Sequence, residues 1–152
     1  MADGKRGLIT GAAGLIGGIL RSALAGEYEL SGVDVTPVRG FDSRVADVTD
    51  LGAVQPAFQG ADTVVHLAAD PSDLAPWDSV LPKNIIGTYN VFEAARRADL
   101  RRVIFASSNH VTGMYERDQP YSAIVGGDYE GLSPGQYPMV THTLPIRPDG
   151  YY

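Results

Sequence analysis

The sequence predicts an α/β fold, a doubly wound parallel sheet of the Rossmann type. The first observation is a short apolar strand over residues 7–10 that runs into a turn containing Gly11, Gly14 and Gly17. The second is the helical spacing of apolar residues that follows, over 16–24. The third is that strands alternate along the chain with helices of about ten residues or more, which favours parallel strands joined by crossover helices.

The glycine turn has the chemistry of an anion site. Glycine has no side chain, so a phosphate can approach the backbone amides, and the following helix presents unpaired N–H groups and the positive end of its dipole. Asp34 ends an apolar strand about twenty residues after Gly14, the spacing at which a carboxylate holds the ribose of a dinucleotide. Because a carboxylate repels a 2′-phosphate, Asp34 favours NAD over NADP. The alternative for Asp34 is a solvated strand end.

Size and charge argue against several classes of function. The chain of 152 residues is long enough for one hydrophobic core and too short for two ordinary domains. Its 12 basic and 18 acidic residues give a net charge of −6, which disfavours nucleic acid and anionic membranes as partners. It has no cysteine and no uninterrupted apolar segment suited to a signal or membrane helix. We therefore expect a cytoplasmic enzyme or binding protein.

The rest of the pattern predicts four further strands and two further helices. The strands are expected over 28–35, 43–46, 63–67 and 101–106, and the helices over 51–58, with Asp50 as its N-cap, and over about 82–98. In the last helix one apolar stripe contains Ile85, Tyr89, Phe92 and Ala95, and Ile86 and Val91 widen it. A stripe this wide predicts a partner helix, either within the chain or across a homodimer.

Residues 113–150 show no sustained period of either 3.6 or 2. The stretch contains five prolines and keeps apolar residues at Ile124, Leu132, Met139 and Leu144. A structureless segment of this length is unusual inside a compact domain, so we expect a lid or substrate loop, with disorder as the alternative.

Motifs in their order along the chain resemble an extended short-chain dehydrogenase/reductase, and more narrowly the NAD-dependent epimerase/dehydratase superfamily of carbohydrate metabolism. They are Thr10–Gly17, Asp34, Asp47, His66–Ala69, Asn84 and Phe105–Ser108. Two runs, Ser107–His110 and Arg147–Tyr152, resemble most closely the uronate dehydrogenases. The resemblance covers most of residues 7–112 and returns at 147–152.

The resemblance implies an NAD site. The residues that it places against the pyrophosphate are Gly11, Gly14, Leu15, Ile16 and Gly17, while Asp34 holds the adenosine ribose. It places Asp47 and Val48 beside the adenine. Leu67, Ala68, Ala69 and Ala106 lie near the nicotinamide end, and Asn84 is a structural helix residue behind the site.

The resemblance also implies a catalytic pair and a sugar or sugar-acid substrate. Ser108 matches the serine that hydrogen-bonds the reacting hydroxyl, and Tyr152 matches the tyrosine base, with Tyr151 as the alternative. Ser72, Ser108, Asn109 and His110 are the implied substrate contacts. His66 is expected to be a hydrogen-bonded structural histidine, and the three histidines have no metal-ligand spacing, so no metal site is expected.

The sequence departs from the family pattern in two places. The interval between Ser108 and Tyr152 is longer than is usual, which marks 116–146 as an insertion. A tyrosine with an ordinary pKa of about 10 needs nearby positive charge to act as a base, and the family's lysine four positions after the tyrosine lies beyond Tyr152. We therefore expect 1–152 to be the NAD-binding part of an enzyme that continues into a substrate-binding portion. The alternative is a non-catalytic NAD-binding regulator or an inactive fragment.

Overall fold

The computed structural model of the chain describes residues 5–130, 133 and 139–150. The chain divides into two compact units, residues 1–106 and residues 107–152. The first unit contains the sheet. The interpretation of 1–152 as one NAD-binding domain with an insertion over 113–150 stays a prediction.

The first unit is built on a parallel sheet of five strands in the order β3-β2-β1-β4-β5. The strands are β1 (Arg6–Thr10), β2 (Glu29–Asp34), β3 (Ser43–Val45), β4 (Thr63–His66) and β5 (Arg102–Phe105). In the register, Thr10 pairs with Val33 on one side and with His66 on the other. The Rossmann-type α/β fold predicted from the sequence is confirmed, and the carboxyl ends of β1, β2 and β4 lie together.

Helix α1 (Leu15–Leu24) follows the glycine turn, as predicted. Gly17 is the one buried residue of this helix, and it lies against the backbone of Gly11 and Ala12. The apolar face expected from the sequence is only partly covered, because Ile16 and Ile19 are more than half exposed.

The second predicted helix is confirmed in position but changes its form part-way. Asp50 is its N-cap and accepts a hydrogen bond from the Ala53 N–H at 3.1 Å. Helix α2 (Leu51–Val54) continues as a 3-10 turn over Gln55–Phe58, which contains Pro56. Proline has no N–H for an α-helical bond, so the tighter turn is a consequence of the sequence.

The long helix after β4 begins earlier than predicted. It runs through α3 (Trp77–Val80), a π-helical segment Leu81–Ile86 and α4 (Gly87–Arg97). Pro82 lies inside this helix rather than at its start, and the Gly87 N–H bonds to the Pro82 carbonyl, a spacing of five residues. A proline inside a helix loses one hydrogen bond and clashes with the preceding turn, and the wider turn accommodates it.

The buried face of α4 agrees with the predicted stripe only at Val91 and Ala95. The buried residues are Gly87, Asn90, Val91, Ala94 and Ala95. Three members of the predicted stripe, Ile85, Tyr89 and Phe92, are 53%, 66% and 45% exposed. A Cβ on Gly87 would lie 2.8 Å from Val48 Cγ2, so the helix approaches the first unit's core too closely for large side chains.

The last strand has weakly covered faces. Ile104 and Phe105 in β5 are 47% and 50% exposed, and β5 stands at one end of the strand order. Parallel strands are normally covered on both faces.

No helix in the part of the chain that the structure describes is long and apolar enough to cross a membrane.

The second unit has more regular structure than the sequence pattern indicated. A 3-10 helix spans Asn109–Arg117, and helix α5 spans Tyr121–Val125. The segment near 147 returns alongside the first of these, because the Arg147 N–H donates to the Val111 carbonyl at 2.8 Å and the Met114 N–H donates to the Arg147 carbonyl at 3.0 Å. Backbone hydrogen bonds therefore join the two ends of the segment that lies between Met114 and Arg147.

Candidate functional site

The glycine turn between β1 and α1 is packed against the start of the loop that follows β4. Gly11 has a φ of 73°, and its N–H donates to the Val33 carbonyl at 2.9 Å. A Cβ on Gly11 would lie 2.8 Å from the Ala68 nitrogen and 2.9 Å from the Leu67 carbonyl carbon. Both the backbone conformation and the space therefore require glycine at this position.

The N-terminus of α1 has no side-chain cap. Gly14 is the N-cap residue, with extended backbone angles, and its N–H donates to the Gly11 carbonyl at 3.1 Å. A Cβ on Gly17 would come within 3.0 Å of Ala12 backbone atoms, so the first turn of the helix lies directly on the glycine turn. Leu15 and Ile16 are exposed at the start of the helix. The helix thus directs its first N–H groups toward a bare backbone surface that fits an anion.

Asp34 lies at this turn, as its spacing predicted. Its Oδ2 accepts a hydrogen bond from the Ala13 N–H at 2.9 Å, and its Oδ1 accepts one from the Thr36 N–H at 2.9 Å. A carboxylate oxygen can accept more than one hydrogen bond, so both oxygens keep the capacity to accept from hydroxyl groups. The structure therefore places a negatively charged hydrogen-bond acceptor, the Asp34 carboxylate, beside the candidate anion site.

Asp47 and Val48, which follow β3, have different environments. The Asp47 carboxylate accepts from the Thr49 N–H at 2.9 Å, whereas Val48 is 7% exposed and belongs to the core. Asn90 on α4 donates from Nδ2 to the carbonyls of Val48 and Thr49 at 2.9 and 3.0 Å. Asn90 was missed by the sequence reasoning, although a lone amide on the buried face of a helix is a signal of this kind of bond.

Thr10 and His66 connect the ends of β1 and β4. The Thr10 hydroxyl accepts from the Leu67 and Ala68 N–H groups at 3.3 and 3.4 Å, so its own proton is directed to His66 Nδ1 at 2.7 Å. His66 Nε2 then donates to the Thr88 hydroxyl at 3.1 Å. Burial lowers the pKa of His66 to about 4, which keeps the ring neutral. The prediction that His66 is hydrogen-bonded is confirmed, and its structural role stays a prediction.

The loop after Ala69 is attached to the long helix through Asp70. Its Oδ1 accepts from the Ser72 N–H at 3.2 Å, and its Oδ2 accepts from the Ser79 hydroxyl and from Lys83 Nζ at 3.3 Å. Asn84 bonds the Asp70 backbone from both sides, through Oδ1 to the N–H at 2.8 Å and through Nδ2 to the carbonyl at 3.2 Å. The hydrogen bonds from Ser79 and then Ser72 lower the pKa of Asp70.

The sequence anticipated only part of that network. Asn84 has the predicted structural position, whereas Asp70 and Lys83 were not singled out. The sequence spacing between the two is not that of an ion pair within one helix, since Asp70 precedes the helix and Lys83 lies in its π-helical segment. No local pattern therefore indicated the pair.

The second unit contains the predicted serine, Ser108, and the predicted substrate contacts Asn109 and His110, whereas the fourth predicted contact, Ser72, belongs to the first unit. The Ser108 hydroxyl caps the 3-10 helix by accepting from the His110 N–H at 3.1 Å. His110 Nδ1 lies 2.9 Å from Asp149 Oδ1, and the Asp149 N–H donates to the His110 carbonyl. Asn109 is exposed beside them. The predicted base Tyr152 and its alternative Tyr151 lie outside the described residues.

Comparisons with known proteins identify the family that this chain resembles. A model of the family described as "NAD dependent epimerase/dehydratase family" matches residues 7–133. The L-arabinose 1-dehydrogenase (NAD(P)(+)) of Haloferax volcanii is 42% identical over 147 residues, which are 95% of this chain and 54% of that protein. The uronate dehydrogenase of Pseudomonas putida is 35% identical over 154 residues, which are 97% of this chain and 50% of that protein.

Solved structures lead to the same family. The uronate dehydrogenase from Agrobacterium tumefaciens has a TM-score of 0.66 at 40% identity, over 71% of this chain and 42% of that one. The glucuronic acid dehydrogenase from Chromohalobacter salexigens has a TM-score of 0.73 at 31% identity, over 97% of this chain and 50% of that one. The chain spans about half the length of the curated relatives that it matches. With the family model covering residues 7–133, the chain belongs to the NAD dependent epimerase/dehydratase family.

Proposed function

We propose that the protein is an NAD-dependent oxidoreductase that transfers a hydride between NAD and a sugar or sugar acid. The observation that carries the proposal is the glycine turn, where a Cβ on Gly11 would lie 2.8 Å from the Ala68 nitrogen and where Asp34 bonds the Ala13 N–H. A bare backbone surface next to a ribose-binding carboxylate is the arrangement that a dinucleotide requires.

In this proposal, each part of NAD has its own group of residues. The pyrophosphate lies against Gly11, Gly14, Leu15, Ile16 and Gly17, and the adenosine ribose is held by Asp34. The adenine lies beside Asp47 and the backbone of Val48, whose side chain is in the core. The nicotinamide ribose lies along Leu67, Ala68, Ala69 and Ala106. When bound, NAD supplies the hydride acceptor for oxidation of a sugar carbon.

At the substrate end, the proposed work of the chain is to bind and orient a hydroxyl. Ser108 accepts from the His110 N–H, so its own proton is available for a substrate oxygen. Asn109, His110 and Ser72 are the proposed contacts to the other polar groups of the sugar. Tyr152 is the proposed base that takes the hydroxyl proton, which requires positive charge nearby to favour the phenolate.

The segment 113–150 is the proposed lid over the substrate. Support comes from the two helical parts within its described residues, the 3-10 helix that ends at Arg117 and α5, and from a cavity of about 240 Å³ in the second unit. The residues that line this cavity include Asn109, Thr112, Tyr115, Tyr121 and Ile124. Asn109 is thus shared between the cavity wall and the proposed substrate contacts.

The class of substrate is proposed from the names of the relatives. Relatives named uronate dehydrogenase and L-arabinose 1-dehydrogenase point to a free sugar or sugar acid. A nucleotide sugar is the competing class, since the similar MoeE5 structures contain UDP-glucose and UDP-glucuronic acid. We favour the free sugar or sugar acid because the relatives with these names match this chain over 95% and 97% of its length.

The test measures NAD reduction by the longest natural form of the protein. Uronic acids, aldoses and nucleotide sugars are supplied in turn, and formation of NADH is followed by absorbance. We expect turnover with a uronic acid or an aldose, and a fall in kcat of at least about 100-fold in Ser108→Ala and in Tyr152→Phe. Ser107→Ala and Tyr151→Phe are the matched controls and should retain kcat. NAD binding without hydride transfer to or from any of these substrates would contradict the proposal and favour a non-catalytic regulator.

We also propose that the protein forms a homodimer through the exposed face of α4. Support comes from Tyr89 and Phe92, two large aromatic side chains of α4 that are 66% and 45% exposed. Exposed apolar patches of this kind mark protein–protein contacts. Light scattering should give twice the mass of one chain, and Tyr89→Glu should reduce it to the mass of one. A monomeric wild-type protein would contradict this proposal without affecting the proposed chemistry.

A further inference from the structure

Asp70 connects the loop after β4 to the long helix by every polar group that it has. Its carboxylate accepts from the Ser72 N–H, the Ser79 hydroxyl and Lys83 Nζ. Its backbone N–H and carbonyl are both bonded by the Asn84 amide. One residue of an exposed loop is therefore fixed from four directions, which exceeds what a surface ion pair requires.

Two of the three helix partners of Asp70 lie in the π-helical segment, and the third, Ser79, lies just before it in α3. Lys83 and Asn84 lie in Leu81–Ile86, which is wound more widely around Pro82. One extra residue in a turn changes the direction of later side chains by about 100°, the rotation per residue of a helix. π-helical segments of this kind are frequent at functional sites.

The network continues from Asp70 to Ser72. Asp70 Oδ1 receives the Ser72 N–H at 3.2 Å, and the Ser72 hydroxyl in turn receives the Leu74 N–H at 3.2 Å. The Ser72 carbonyl accepts from the Ala75 N–H at 3.0 Å. The position of Ser72 thus depends on a turn whose first acceptor is the Asp70 carboxylate.

The two other partners determine how that carboxylate is held. Lys83 Nζ lies 3.3 Å from Asp70 Oδ2 and 2.9 Å from the Ser79 hydroxyl, so the ammonium group contacts both members of the Ser79–Asp70 bond. The Asp70 side chain is only 19% exposed, whereas that of Lys83 is 51% exposed. The carboxylate is therefore the fixed member of the pair and the ammonium the adjustable one.

We infer that Asp70 is a positioning residue that sets Ser72 for the sugar substrate, with Ser79 and Lys83 holding its carboxylate in place. The inference rests on the proposed function, in which Ser72 is a substrate contact. It assigns no chemical step to Asp70. The alternative role, stability of the helix alone, makes no demand on the orientation of Ser72.

The experiment compares Asp70→Asn and Lys83→Met with a matched control. Asp70→Asn keeps an acceptor for the Ser72 N–H but turns an amide N–H₂ toward Lys83 and Ser79. Glu29→Gln is the control, because it breaks the exposed Arg6–Glu29 pair of 3.3 Å at the amino ends of β1 and β2. All variants are made in the longest natural form of the protein.

Two readouts are measured, substrate kinetics and amide hydrogen exchange. In Asp70→Asn we expect KM for the sugar to rise about tenfold or more, with kcat and the Kd for NAD changed less than about threefold. Exchange of the Ser72 and Leu74 amides should quicken about tenfold. Lys83→Met should shift both readouts in the same direction by less, and the double variant should be no worse than Asp70→Asn alone. Glu29→Gln should change neither.

The outcomes separate this inference from the function on which it rests. Unchanged exchange at Ser72, or quicker exchange without a change in KM, overturns the positioning role in an enzyme that is otherwise active. A parallel loss of NAD affinity also overturns it, because it would show a general weakening of the fold. A wild-type protein without hydride transfer overturns the proposed function, and the substrate role of Asp70 is lost with it.

Discussion

The two units of the chain hold their candidate functional groups in different ways. In residues 6–106 the glycine turn is fixed by backbone contacts, such as the bond from the Gly11 N–H to Val33, and by the absence of side chains. In the described part of residues 107–150, backbone bonds such as that from the Arg147 N–H to Val111 are joined by partly exposed side-chain pairs, such as His110 with Asp149. Backbone contacts leave little freedom to change, whereas side-chain pairs can be replaced. We therefore expect the proposed cofactor region to tolerate few substitutions. The side-chain contacts of the proposed substrate region should tolerate more.

Substitution of Gly11 by alanine should have the largest effect. A Cβ would lie 2.8 Å from the Ala68 nitrogen at a φ of 73°, so the turn must move. We expect the Kd for NAD to rise at least about 100-fold and the free energy of unfolding to fall by about 2–4 kcal/mol. Calorimetry and denaturant unfolding measure the two. Gly26→Ala is the control, since a Cβ on Gly26 has nothing within 4 Å. If Gly11→Ala bound NAD with the affinity of the wild-type protein, the requirement for glycine at this position would be contradicted.

The neutral state of His66 should make the sheet unit sensitive to acid. Its pKa in the folded protein is about 4, against an ordinary value of 6.5 in the unfolded chain, so below pH 6.5 the unfolded chain binds more protons than the folded one. The free energy of unfolding should therefore decrease as the pH falls from 6.5 toward 4, by at most about 3 kcal/mol in total from this group. Urea unfolding at several pH values measures the slope.

The control for this pH dependence is the exposed histidine of the second unit. His142→Asn should leave the slope unchanged, whereas His66→Gln should reduce it and lower stability at pH 7, because Thr10 and Thr88 lose a well-placed partner. An equal slope in His66→Gln would assign the acid sensitivity to other groups.

Replacement of Asp34 should change the choice of cofactor more than it changes the fold. Asp34→Ser removes the charge that repels a 2′-phosphate and shortens the acceptor for the Ala13 and Thr36 N–H groups. We expect NAD affinity to fall about tenfold and NADP affinity to rise relative to it. Asp42→Asn, which removes a charge elsewhere in the unit, is the control. If the wild-type protein bound NAD and NADP with equal affinity, the proposed role of Asp34 would be contradicted.

The features that could be predicted from the sequence depend on short, fixed spacings. The turn from Gly11 to Gly17 and the carboxylate at Asp34 are set by the chain connection of one strand, one helix and the next strand. The buried strand β4 with His66 at its end follows from a continuous apolar run. Each of these needs only a few neighbouring residues to be specified.

The features that were missed depend on how elements approach each other. Which face of α4 is buried follows from the close contact of Gly87 with Val48, and a stripe of large apolar residues does not reveal that contact. Lys83 lies in the π-helical segment around Pro82 and contacts Asp70, a pair that no helical spacing indicates. Asn90 belongs to the same class, because its acceptors lie on a distant loop.

The smallest expected effect tests whether the second unit is adjustable. The Tyr115 hydroxyl donates to the Pro145 carbonyl at 3.0 Å, and the Arg147 guanidinium carbon lies 4.6 Å from the centre of the Tyr115 ring. Tyr115→Phe keeps the ring but removes the hydrogen bond, so local opening should become easier by about 0.5–1 kcal/mol. Exchange of the Met114 amide, which donates to Arg147, should quicken about two- to fivefold for the same reason.

Amides of the sheet should not respond to this change if the two units are held independently. The control is Tyr129→Phe at an exposed tyrosine, which should leave exchange unchanged throughout. Faster exchange of the Leu8 and Val64 amides in Tyr115→Phe would contradict the comparison, because it would mean that a side-chain contact in the second unit supports the core of the first. Faster exchange confined to the second unit would support the comparison, because it would show that loss of a side-chain contact there leaves the backbone contacts of the sheet unit unchanged.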